Sequence, residues 1–146
     1  MYYPCLDQDS RKRLTVVQNN CVRFIFGLRK FSHVSSSYVV IQWLRMPELV
    51  KYNFLTFLHK LLQTGIPTYL REKLIFRYDV HIRTIRNAAV LTMPHHTTSL
   101  FQRSFSYNAV YLYNSIEPYV KNLSITSYKK HIKRILLQSQ FPPLPN

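Results

Sequence analysis

PELVKYNFLTFLHKLLQTG, residues 47–65, is the stretch on which the reading of the fold turns. Within it Leu49, Val50, Phe54, Phe57, Leu58, Leu61 and Leu62 recur at spacings of three and four, the period of one helix face. Pro47 suits the first helical position, where its missing N–H is one that a helix start leaves unpaired anyway. Gly65 and Pro67 end the run. Upstream, Tyr38, Ile41 and Leu44 mark a shorter helix that stops before Pro47, because a residue preceding proline avoids the α region. The stretch 32–37 is polar and reads as a loop. Before it Ser10 is the expected N-cap of a helix whose stripe is Leu14, Val17, Cys21, Phe24, Ile25 and Leu28. That stripe is expected to face the core, with Cys21 as a buried thiol and Gly27 as the helix stop.

Downstream a short helical piece runs from Thr68 to about Phe76. Residues 77–94 differ: Val80, Ile82, Thr84 and Ile85 are β-branched and roughly alternate with His81, Arg83 and Arg86. Extended backbone or two short strands both fit. Two further helices are expected, from Ser99 to about Ser115 and from Ser124 to about Leu137. The fold class is therefore mainly α: a single helical domain over 10–138, of about five to six helices, with a short extended or β segment near 78–93. The ends, 1–9 and 139–146, are expected to be flexible, since the proline-rich tail cannot continue a helix.

Composition agrees with this pattern. Hydrophobic residues are 47% of the chain and aromatics 14%, enough to build a core rather than leave the chain disordered. With only Gly27 and Gly65, few positions take a positive φ cheaply, and this disfavours a fold of many tight hairpins. Charge is the more telling number: 20 Lys+Arg against 6 Asp+Glu leave +14. A small domain so charged calls for an anionic neighbour, RNA or DNA first and a membrane surface as the rival. The two cysteines, Cys5 and Cys21, do not make a disulfide framework. The N-terminus lacks the basic and apolar regions of a signal peptide, and no apolar run approaches the roughly 18 residues of a membrane span. The expectation is an intracellular, nuclear or cytoplasmic protein that is not secreted.

Catalytic chemistry finds little to stand on. Two-metal phosphoryl transfer needs converging carboxylates, whereas Asp7, Asp9, Glu48, Glu72, Asp79 and Glu117 are scattered among basic residues. His95 and His96 are adjacent and cannot converge on one ion from a helix or strand, and no close second ligand accompanies either cysteine. Neither a nucleophile elbow nor a phosphate-cradling glycine loop is present. No catalytic residue, metal or cofactor is therefore assigned.

The basic residues form two clusters. Arg77, Arg83 and Arg86 make the first. Lys129, Lys130, Lys133 and Arg134 make the second, on the last helix, opposite an apolar side of Tyr128, Ile132, Ile135 and Leu136. A solvated, salt-bridged helix face normally carries both signs, yet 124–137 contains no acid. These seven residues are the candidate nucleic-acid contacts. The aromatics Phe24, Phe54, Phe57, Phe101, Phe105 and Tyr128 fit apolar stripes and are assigned to the core rather than to base stacking.

The order of short motifs resembles the region downstream of the catalytic domain in reverse transcriptases of non-LTR (LINE-like) retrotransposons, particularly the jockey-like group. Residues 14–23, LTVVQNNCVR, are similar to that family's "LQN…R.I" helix, and 43–47, WLRMP, to its "L.WL.I" element, followed by Lys51 and Tyr52. Residues 66–70 resemble "P.YL", and Arg86 with 91–94 resembles an arginine followed by "L..P". Residues 104–109 and 113–116 are similar to "SF…A…WN.LP", and 127–129 to a closing "FK" helix. The likeness covers 10–138. It departs at Tyr113, which stands for tryptophan, at Glu117 before Pro118, and in lacking a terminal Cys/His knuckle. The resemblance implies a noncatalytic accessory region that helps hold template RNA or target DNA, the catalytic aspartates lying upstream in a palm. It also implies a fragment of such an element or a gene derived from one, with a reverse-transcriptase catalytic domain as a further partner. A docking fragment of that enzyme, a relic reading frame and a peripheral membrane protein are the alternatives.

Overall fold

The computed structural model describes residues 6–80, 89–96 and 98–141. Arg83 and Arg86 of the first basic cluster lie outside the described residues, as do Cys5, His81, half of the expected extended segment and the tail 142–146.

The protein is mainly helical, as its periodicity requires. Helix α1 (Gln8–Ile25) starts ahead of Ser10, because the Asp7 carboxylate caps it by accepting the N–H groups of Asp9 (3.1 Å) and Ser10 (3.2 Å). Hydrogen bonds from Ser10 hold the Asp7 carboxyl below its ordinary range. Gly27 follows α1 with φ +61°, the left-handed conformation that stops a helix cheaply. Helix α2 (Ser35–Ile41) ends on Gln42, a non-glycine residue at φ 50°. Then come α3 (Met46–Thr64), α4 (Thr68–Arg71), α5 (Arg77–Val80), a 3₁₀ turn at Phe101–Arg103, α6 (Phe105–Asn114), α7 (Pro118–Lys121) and α8 (Ile125–Gln140).

The described start of the segment near 78–93 departs from expectation. Arg77–Val80 is a helical turn, its start fixed by the Asp79 carboxylate accepting the Phe76 N–H at 3.2 Å. Among the described residues no strand forms; Phe76 and Leu91 make an isolated antiparallel bridge. The Asp79 cap supplies a local partner for backbone that the β-branched pattern alone would have left extended.

Two compact units emerge, Met1–Asn53 with Lys129–Asn146, and Phe54–Tyr128. In the first, Val22, Val34 and Tyr38 are buried, with Phe26, Leu28, Ile41 and Phe141 packed against them. In the second, Leu58, Leu61, Leu74, Phe76, Leu91, Ala109 and Val110 form the core. Asn114 pins Leu91 there from both sides, accepting its N–H at 3.0 Å and donating to its carbonyl at 2.9 Å.

The α1 stripe is a correction. Leu28 reaches the core, but Leu14, Val17, Cys21, Phe24 and Ile25 are exposed, Phe24 to 89%. Cys21 is accordingly an exposed thiol rather than a buried one. Polar anchors turn the other face inward. Gln18 donates to the Leu44 carbonyl (2.8 Å), Asn19 accepts the Tyr38 hydroxyl (3.0 Å), and Arg23 donates to the Ser32 carbonyl (3.2 Å). Val22, on that side, is the fully buried apolar residue of α1.

Candidate nucleic-acid interface

Helix α8 is set in rotation by two buried side chains, Tyr128 in its first turn and Ile132 one turn on. Residues 129, 130, 133 and 134 then project from its other side, and Lys129, Lys130, Lys133 and Arg134 are all exposed. Ile135, expected on the apolar side, is exposed as well, so the buried stripe is narrower than the sequence suggested.

Within the first unit, Lys130, Lys133 and Arg134 meet Leu137, Phe141 and the end of α2, at Val39 and Gln42, around an open depression of about 490 Å³. Its lining combines these three cations with apolar Val39, Leu137 and Phe141. No carboxylate of the described residues lines it. Lys129 is exposed on the same helix but does not line the depression. Arg77 is exposed on α5 in the second unit. The described residues bring three of the α8 cations around one depression, whereas of the arginine cluster they include Arg77 alone.

A second feature was not anticipated. The loop between α2 and α3 is bracketed by Gln140 of α8, which accepts the Arg45 N–H at 2.7 Å and donates to the Trp43 carbonyl at 3.2 Å. The Arg45 guanidinium donates to Ser35 Oγ (2.9 Å) and lies 5.5 Å from the ring centres of both Tyr38 and Phe141. With the loop so held, Trp43 stays 43% exposed and opens onto a neighbouring depression of about 380 Å³, lined also by Gln18, Leu44, Leu49, Tyr52 and Lys133. Gln42 and Lys133 line both depressions and join them. Trp43, Tyr52, Gln18 and Gln42 were thus missed as candidate site residues. The available signal was the chain's one tryptophan, which falls off the apolar stripe of Tyr38, Ile41 and Leu44.

The carboxylates serve locally, Asp7 and Asp79 as helix caps. Among the described residues no three His, Cys, Asp or Glu side chains come together as a metal site, and no helix is long and apolar enough to cross a membrane. Comparison with protein-family models, curated proteins and solved structures finds no significant match.

Proposed function

We propose that this chain is a noncatalytic nucleic-acid-binding module whose contact surface is the α8 face bearing Lys130, Lys133 and Arg134, flanked by Lys129. The observation that carries the reading is three cations around one open depression with no carboxylate of the described residues on its walls. A single exposed ion pair is worth about 0–1 kcal/mol, so one such lysine would decide nothing. Several cations along one phosphate backbone act together, because each neutralised phosphate releases counterions. The contacts give affinity and register without reading sequence. The motif order shared with the non-LTR reverse-transcriptase region supports the same reading, with template RNA or target DNA as ligand, an intracellular site of action and descent from such an element. Arg77, Arg83 and Arg86 remain a proposed second patch. Replacing Lys129, Lys130, Lys133 and Arg134 together by Gln tests the reading by fluorescence anisotropy. Affinity is expected to fall at least tenfold at about 50 mM salt, equally for unrelated sequences. Unchanged affinity removes α8 from the interface.

A second reading rests on the outward stripe of α1. An apolar face of Val17, Cys21, Phe24 and Ile25 on an otherwise polar helix is a surface that a partner covers. Docking onto a reverse-transcriptase catalytic domain is the corresponding proposal. Sedimentation of the chain alone addresses it: self-association abolished by Val17→Ser with Phe24→Ser is expected, whereas a clean monomer with unchanged behaviour argues against it.

A further inference from the structure

The cationic face and the aromatic depression beside it are parts of one surface, since Lys133 and Gln42 belong to both. The cations alone would suit any phosphate backbone, duplex or single-stranded. Trp43 and Tyr52 are another matter. Both present aromatic surface beside Lys133, and neither is on the expected apolar stripes. In a duplex the base faces are covered by their neighbours, so an aromatic platform next to phosphate contacts can be used only by a strand whose bases are free.

Resting on the nucleic-acid reading above, we infer that this surface selects single-stranded over double-stranded nucleic acid: the backbone follows Lys130, Lys133 and Arg134, and an unpaired base enters the depression and stacks on Trp43. Its volume of about 380 Å³ falls within the roughly 300–1,000 Å³ of small-ligand sites, ample for a flat heterocycle. Gln18 also lines the depression, and its amide nitrogen is committed to the Leu44 carbonyl at 2.8 Å. The cage around Trp43 is pre-formed: the Gln140 bracket, the Gln18 bond and the Tyr38 carbonyl, which accepts the Trp43 N–H at 3.3 Å, hold the loop on three sides. Little ordering is left to oppose binding.

Because Trp43 is the chain's single tryptophan, its emission reports this site alone. The full chain is titrated at about 50 mM salt with an oligothymidylate and an oligouridylate of about twelve nucleotides, a duplex of equal length, and vesicles rich in anionic phospholipid. Anisotropy of labelled oligonucleotides is followed in parallel. Both single strands are expected to quench Trp43 and to bind more tightly than the duplex, which leaves the emission nearly unchanged. Trp43→Ala is expected to weaken single-strand binding by about five- to a hundredfold and duplex binding less than twofold. Tyr52→Leu, which leaves Trp43 in place, provides a second variant and is expected to reduce the quenching. Equal affinity for strand and duplex with Trp43 emission unmoved overturns the inference and leaves the nucleic-acid reading intact. Binding to neither overturns both. Emission that responds to vesicles and not to oligonucleotides assigns the depression to a lipid surface and overturns the inference.

Discussion

His59 is buried in the second unit with its ring stacked on Tyr128, centroids 3.9 Å apart and planes within 5°. Its Nε2 donates to the Leu123 carbonyl at 3.0 Å, and Gln63 donates to the same oxygen at 3.3 Å. Burial lowers the His59 pKa below its ordinary 6.5, against the opposing pull of the Leu123 carbonyl, and burial also raises that of Tyr128. The unfolded chain therefore takes up the proton before the folded one does. Stability from this group is complete above about pH 6.5 and declines as the pH falls below it. Melting followed by circular dichroism at about pH 7.5 and pH 5 should show a smaller loss for His59→Gln than for the natural chain. Equal losses in the two proteins would mean that His59 is not held neutral by its surroundings. None of this was legible in the sequence, where His59 falls beside the expected stripe of α3. Seeing it required Tyr128, supplied by another helix, and a carbonyl from the turn before α8.

At the scale of the element, α3 and α8 were readable where their apolar spacing and their packing coincide, which excludes the exposed Phe57 and Ile135. Leu58 and Leu61 of α3 and Tyr128 and Ile132 of α8 are buried as their periodicity indicates. Helix α1 shows where that logic fails. Its strongest apolar stripe faces outward, because Gln18, Asn19 and Arg23 tie the polar side to the following loop and helix. Periodicity locates a face without saying what it faces. Helix α7 was missed, though Pro118 directly after Glu117 is a helix-start signal in a short segment. The contrast between α1 and α3 gives a stability prediction. Leu58→Ala should cost about 2–5 kcal/mol, as expected for a buried leucine, whereas Phe24→Ser should change stability by less than about 0.5 kcal/mol. Urea unfolding of the two variants checks this. A large loss for Phe24→Ser would mean that the α1 stripe is part of the core after all.

For the whole molecule the charge of +14 was legible at once, and so was the helical class. Which cations act together was only partly legible. The α8 cluster follows from helix spacing, but its union with Val39, Gln42 and Phe141 depends on tertiary packing within the first unit. Trp43 reaches the same surface through a loop fixed by Gln140, 97 positions away in sequence. A sequence pattern cannot register so distant a pair. The central claim is that this cationic surface binds nucleic acid through its phosphates, and the dependence of affinity on salt tests it most directly. Three or four phosphate contacts on a single strand correspond to a slope of about −2 to −3 in log K against log salt, falling by about 0.7 for each of Lys130, Lys133 and Arg134 replaced by Gln. Measurable binding whose affinity stays flat as salt rises, or whose slope in all three variants equals that of the natural chain, would contradict the account.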